Sequence, residues 1–245
     1  MIATQQRPPQ IWRRQPHLVF SPLAWLKLQL FCHSGETEIG GFGVTSRHDL
    51  LHVEDFISVR QQTTAVAVSF ADDAVADYTD RCVDAGLAPQ NFLRVWCHTH
   101  PGSSAEPSSV DEDTFARVFG SCDWAVMFIL DRAGHAYARL SFHVGPGGEL
   151  LLPVSVAWPD WPGVVNDPAF SMPNQFSAWQ QELAANVQPV LENLKLFAPA
   201  PRGPVVDLGS PWEPFGESWD WTDLELELLE DCERHERDHH NPKRA

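Results

Sequence analysis

Residues 97–111 read Cys97-His98-Thr99-His100-Pro101-Gly102-Ser103-Ser104-Ala105-Glu106-Pro107-Ser108-Ser109-Val110-Asp111. Phe92–His100 (FLRVWCHTH) has the composition of a strand and stops at Pro101; Ser108–Gly120 (SSVDEDTFARVFG) reads as a short helix closed by glycine. On a strand, His98 and His100 are two residues apart and project from the same face. Asp111 falls in the first turn of the following helix and can return to the strand end. Two imidazoles and one carboxylate form a three-ligand set for Zn²⁺ with a fourth position left to water, which distinguishes a catalytic zinc site from a structural one. Plainer roles fit the same residue types. Two histidines on a strand often only pack in a sheet, and Ser108-x-x-Asp111 or Ser109-x-x-Glu112 is also a capping box. A helix start that fixes a carboxylate is compatible with metal binding.

The flanking sequence alternates helices with strands. Ser21–Cys32 (SPLAWLKLQLFC) has helical spacing, with Ser21 as cap and Pro22 in the first turn. GFGVT, Leu51–Arg60 and Thr64–Phe70 read as strands, and Ala71–Gly86 as a helix ending at its glycine. Trp124–Asp131, Ala136–Val144 and Glu149–Ala157 are three further strands, separated by the turns DRAGH and GPGGE. Such an order predicts an α/β (α+β) sheet domain over residues 1–157. Residues 158–198 read as a helical extension, because Phe176, Trp179, Leu183, Val187, Val190, Leu191 and Leu194 recur at helical spacing, with Pro189 kinking or splitting the helix. Residues 199–245 read as a Pro-rich linker and an acidic tail that keeps Trp and Leu side chains, with a short helix from about Thr222 as one expectation.

The chain has 245 residues, 17 Lys+Arg against 33 Asp+Glu, and a formal charge of −16. Between Glu213 and His240, eleven acids face two bases, so much of this charge lies in the tail. That balance argues against nucleic acid and anionic membranes as partners. No run approaches the roughly 20 apolar residues of a membrane span, and the first residues lack a secretory apolar run. Cys32, Cys82, Cys97, Cys122 and Cys232 form no CxxC pair, so neither a disulfide scaffold nor a cysteine zinc ribbon is expected. Together these features predict a reduced, cytoplasmic protein. Cys97 points away from the histidine face and reads as core. His33, His48, His52, His135 and His143 read as surface or sheet residues, and His235, His239 and His240 as solvated tail histidines.

HTHPGSSAEPSSVD fits H-x-H-P-x₆-S-x-x-D without a gap. The string resembles the JAMM motif of the Jab/MPN (MPN+) zinc metalloproteases, a family that includes deubiquitinating isopeptidases. The family's upstream element, E-x-x-G before an apolar run, is matched by Glu38-Ile39-Gly40-Gly41-Phe42-Gly43-Val44. Glu36 is the rival, but Ile39 stands three residues on from it. The VEDFISV strand also resembles the family, and the resemblance spans roughly Ser21 to Ala157. Thr45 departs from it, where many relatives carry a second glycine. The resemblance implies a curved mixed sheet around a helix, flanked by further helices. It implies Zn²⁺ held by His98, His100 and Asp111, Glu38 as general acid and base, and Ser108 as donor to the oxyanion. Chemistry alone would allow Ser103, Ser104 or Ser109 in the last role. The implied reaction is hydrolysis of the amide bond after the C-terminus of a ubiquitin-like protein, as deconjugation or precursor processing of the kind prokaryotic members perform. Implied partners are that protein or its conjugate, and proteins of a conjugation system. The alternative is a non-catalytic MPN scaffold that assembles partners through the acidic C-terminal extension; scaffolds of the family usually lose zinc ligands.

Overall fold

Ser21 starts the first helix: its hydroxyl accepts from the Ala24 amide at 3.1 Å, and Pro22 fills a first-turn position. The computed structural model describes residues 15–190. In chain order the elements are β1 (Leu18–Phe20), α1 (Pro22–His33), β2 (Ile39–Thr45), β3 (His52–Ile57), β4 (Gln61–Thr63), β5 (Val68–Phe70), α2 (Asp72–Asp84), β6 (Val95–His100), α3 (Ser109–Phe119), β7 (Trp124–Asp131), β8 (Ala136–Phe142), β9 (Gly148–Leu151), β10 (Val154–Val156), α4 (Trp161–Val165), α5 (Met172–Asn186) and β11 (Val187–Pro189). The fold is the mixed α+β class that the sequence predicts.

Eight strands form one mixed sheet in the order β10-β1-β3-β2-β6-β7-β8-β9. Its two edge strands, β9 and β10, are separated only by Leu152 and Pro153. Leu152 donates to Ala138 O on β8, while Pro153 O accepts from Leu18 on β1. The two ends of the sheet must therefore approach each other, and the sheet curls. Inside the curl, α1 is apolar on nearly every side; Leu28 and Phe31 pack with Phe20, Phe56 and Phe128. The other face is covered by Phe115 and Phe119 of α3 and Tyr78 of α2, against Trp96, Met127 and Ile129. The strand β6 lies between β2 (antiparallel) and β7 (parallel) and is buried along its whole length. No helix among the described residues is long and apolar enough to cross a membrane.

Three elements differ from the sequence expectations. The strand expected at Thr64–Phe70 is a hairpin, β4–β5, that begins at Gln61 and turns where Thr64 N–H donates to Ala67 O. TTAVA contains no glycine or proline to announce that turn. The strand expected at Glu149–Ala157 is two, because Pro153 lacks the donor a continuous ladder needs. The helix of the extension ends at Asn186. Val187–Pro189 instead adds β11 in parallel to β4, making a second sheet in the order β11-β4-β5. Pro189 excludes a helical turn there, and β4 offers open backbone groups to fill. Leu191, Leu194 and the linker and acidic tail at 199–245 lie outside the described residues.

The extension is fastened by a buried cation. Lys27 of α1 is 2% exposed, and its ammonium lies 2.7 Å from Glu182 Oε2 on α5 and 3.4 Å from Asp55 Oδ1 on β3. Glu182 Oε1 also accepts from Ser58 N–H at 2.8 Å and Ser58 Oγ at 2.9 Å. Glu182→Ala should destabilise the protein by about 3 kcal/mol, since it removes the nearer carboxylate from a buried ammonium and strands the two Ser58 donors. The double change Lys27→Met with Glu182→Met should cost less than Glu182→Ala alone. Urea unfolding of the three proteins checks both expectations.

Candidate metal centre

Histidines 98 and 100 reach one point because β6 is a regular strand in its sheet. Gly40 stands opposite His98 on β2, and Ile129 and Asp131 stand opposite His98 and His100 on β7. The imidazole rings share a face, with centroids 5.1 Å apart, and His98 packs on Trp96 at 4.4 Å. Pro101 ends the strand, and the chain returns through Ser108, the N-cap of α3. Ser108 Oγ accepts from the Asp111 amide at 3.2 Å, while Asp111 Oδ2 accepts from Ser108 N–H and from Ser108 Oγ, each at 2.7 Å. This capping box turns the Asp111 carboxylate back toward the strand. Asp111 Oδ1 lies 3.1 Å from His98 Nε2, and Oδ2 lies 3.5 Å from His100 Nε2.

Glu38 arrives from the residue before β2. Its amide donates to Thr64 O at 2.8 Å, and its Oε1 lies 3.7 Å from His100 Nε2. Gly40 and Gly41 behind it are required by close packing. A Cβ on Gly40 would stand 2.9 Å from the Phe70 and Val68 side chains, and one on Gly41 would stand 2.4 Å from Ile57 O. Glu36, the rival, is exposed and paired with Arg132 at 3.1 Å. The structure thus brings Glu38, His98, His100 and Asp111 together, each offering a ligand atom within 4.8 Å of the others, and this cluster could hold a metal ion.

The donor atoms fit such an ion. His100 Nδ1 is hydrogen-bonded to Ser104 O at 2.8 Å, which leaves Nε2 unprotonated and facing the cluster when the ring is neutral. His100 Nε2 and both ring nitrogens of His98 are buried without a hydrogen-bond partner; the 3.1 Å approach of Asp111 to His98 lacks hydrogen-bond direction. Buried polar atoms are ordinarily paired, and a cation held there would pair with one nitrogen of each imidazole and with the carboxylates.

Each of the four groups bears on the protonation of its neighbours. Burial pushes Glu38 up to about 7 from 4.5, opposed by His100 and reinforced by Asp111. Burial also lowers His98, against the pull of Asp111, so its ring is held neutral. For His100 burial acts in the same direction, but Asp111, the Ser104 carbonyl and Glu38 outweigh it and raise the group. Burial alone would raise Asp111, yet contacts with His100, His98 and Ser108 hold its carboxyl far below the usual carboxylate range.

Ser108 is at the site, but its single hydroxyl proton lies on Asp111 Oδ2. Donation to a substrate oxygen would require that bond to break. Cys97 is fully buried in the α1 core cluster, and burial pushes its thiol up, as expected of an inert core cysteine. His33, His48, His52, His135 and His143 take no part in the cluster. Three supporting groups escaped the sequence reading. Ser104 and Thr64 act through backbone carbonyls, which no side-chain pattern reveals. Arg139 on β8 grips Glu112 with both guanidinium nitrogens, at 2.7 and 2.6 Å, and so anchors the turn that bears Asp111. No family model matches this chain, and no curated protein matches it.

Ser108→Ala should weaken divalent-ion affinity by roughly 10–100-fold, because Asp111 loses a hydrogen bond that orients it. Competition against a chromophoric chelator measures the loss. In ion-free protein, a raised Glu38 pKa means that the folded state keeps a proton the unfolded chain has released. Stability should then fall as pH rises from about 4.5 through about 7, by at most about 1.4 kcal/mol per pH unit. Glu38→Gln should remove that component, so wild type loses stability relative to the variant across this window in urea titrations.

Proposed function

We propose that this chain is a zinc-dependent isopeptidase or peptidase that hydrolyses the amide bond after the C-terminus of a ubiquitin-like protein. The observation that carries the reading is the convergence of partnerless buried imidazole nitrogens on Asp111 and Glu38. His98, His100 and Asp111 are the ligands of the ion; nitrogen and oxygen donors with one open position suit Zn²⁺. When bound, zinc polarises a carbonyl oxygen and lowers the pKa of a water from ~15.7 toward ~7.

The remaining steps belong to the protein. Glu38, its carboxylate 3.7 Å from His100 Nε2 at the edge of the cluster, takes the proton from the attacking water and returns it to the leaving amine. Its carboxyl is 4% exposed, so bulk water does not compete for that proton. The Ser104 carbonyl holds His100 in the tautomer that offers Nε2, and Ser108 orients Asp111. During turnover the Ser108 hydroxyl can turn from Asp111 to the substrate oxyanion, the role that the JAMM resemblance implies for it. The same resemblance supplies the substrate class and the expectation of conjugation-system partners.

The test is a cleavage assay of full-length, zinc-loaded protein on fusions of ubiquitin-like proteins that end in different C-terminal residues. Wild type should cleave at least one, a chelator should stop it, and Glu38→Gln should keep its zinc while losing about 10²–10⁴-fold in turnover. Protein that takes up no zinc, or activity that survives Glu38→Gln, refutes the mechanism. Zinc uptake without any cleavage favours the MPN scaffold alternative.

A further inference from the structure

Strand β2 outruns its neighbour. On one side it pairs with β6 from Ile39 onward, but on the other its ladder with β3 begins only at Phe42, opposite Ile57. Past Ile57 the chain leaves the sheet through Ser58, Val59 and Arg60, so the outer backbone groups of Gly40 have no strand to meet. Gln61 meets them instead. Its Oε1 accepts from Gly40 N–H at 2.8 Å, and its Nε2 donates to Gly40 O at 2.8 Å and to Val59 O at 2.9 Å. The side chain is 1% exposed, and its carboxamide occupies the place of a missing peptide group. The amide orientation is dictated, since Gly40 offers a donor and an acceptor at once.

We propose that Gln61 is a positioning residue for Glu38. This rests on the acid–base role proposed for Glu38. Gly40 is two residues from Glu38, and the next anchor, Thr64 O on the Glu38 amide, belongs to the same hairpin. The segment 37–40 is therefore aligned by β4 and its turn, with Thr37 Oγ1 also 2.9 Å from Thr63 Oγ1. The segment 58–63 is in turn gripped by the extension. Glu182 binds Ser58 N–H and Oγ, Asn186 Nδ2 donates to Ser58 O at 2.9 Å, and β11 pairs with Gln61, Gln62 and Thr63. Residues 172–190 thus reach the acid–base group without touching it. The metal ligands are carried on β6 and α3, and β6 is held by β7 on its other side as well as by β2. Loss of Gln61 should move Glu38 and spare the ligands, and misplacing a catalytic group by about 1 Å can lower turnover about 100-fold.

The experiment compares full-length wild type, Gln61→Leu, Gln61→Glu and, as reference, Gln62→Ala on the exposed side of the same strand. Hydrogen exchange at the Gly40 amide should quicken about tenfold or more in Gln61→Leu, with amides 95–99 unchanged, because a buried donor loses its partner. Zinc affinity, read by chelator competition, should stay within about threefold of wild type, well short of the 10–100-fold losses that follow disruption of a ligand's support. On any fusion that wild type cleaves, kcat should fall about tenfold or more while KM holds. Gln61→Glu, in its protonated form, keeps an acceptor toward Gly40 N–H and one donor, and should recover part of both the protection and the turnover as pH is lowered. Unchanged exchange at Gly40 overturns the proposal. So does a loss of zinc affinity in step with turnover, which would make Gln61 a general support of the whole centre. Should Gln61→Leu fail to fold, Gln61→Glu against Gln62→Ala decides by the same readings. A wild type that binds zinc and cleaves nothing refutes the hydrolase reading, and the exchange and zinc readings then decide this one alone.

Discussion

Asp111 receives both the amide and the hydroxyl of Ser108 on one carboxylate oxygen, each at 2.7 Å, and the rest of the centre depends on that capping interaction. It fixes where α3 begins relative to the end of β6. It turns the free oxygen of Asp111 toward His98 and keeps the carboxylate ionised in a buried setting. A cap whose usual effect is to start a helix here also sets the direction of a carboxylate in the cluster. The bidentate Arg139–Glu112 pair, one residue further on, ties the same turn to β8. The loop between His100 and Ser108 can then be short and largely exposed, because both of its ends are fixed by the sheet and by the helix start.

Four ionisable groups within a few ångströms, all at most 9% exposed, would be unfavourable as an empty polar cavity. Without an ion, the protein meets the problem by sharing protons. Glu38 rises toward neutrality, His98 is kept uncharged, and His100 is drawn toward its charged form between two carboxylates. Only Asp111 is stabilised as an anion by its contacts. The partnerless nitrogens of His98 show that this arrangement is incomplete. A divalent cation held there would pair with one nitrogen of each imidazole and let both carboxylates ionise. Ion binding and proton release are therefore linked at this centre.

Much of this was legible in residues 98–111, since a two-residue strand period and a helix cap are local properties. His98, His100 and Asp111 converge as their spacing predicts, and Ser21, Pro22 and Gly120 bound the helices they were expected to bound. What the sequence did not show is long-range. The hairpin at 61–70 turns without glycine or proline. Gln61 looks like any polar strand residue until its partner is known to be a stretch of β2 lacking a neighbour. The helical periodicity from Phe176 onward runs through Val187 and Val190, yet those residues lie on a strand and beside it, because Pro189 and an open β4 edge override the pattern. Ser108 was legible as a cap and as a member of the centre, but its commitment to Asp111 depends on one hydroxyl proton that no motif records.

The centre is therefore assembled from two halves specified by different parts of the chain. One half, the two histidines and Asp111, is a single continuous segment whose geometry follows from β6 and the start of α3. The other half is Glu38, placed by the hairpin that follows β3, which is itself braced by α5 and β11 from more than a hundred residues later. The first half is locally encoded and should survive changes far away. The second inherits the stability of every contact between it and the extension, including the buried Lys27–Glu182 pair. Two halves built in this way can be separated by substitution. Disturbing the extension should loosen Glu38 first, while His98, His100 and Asp111 stay together.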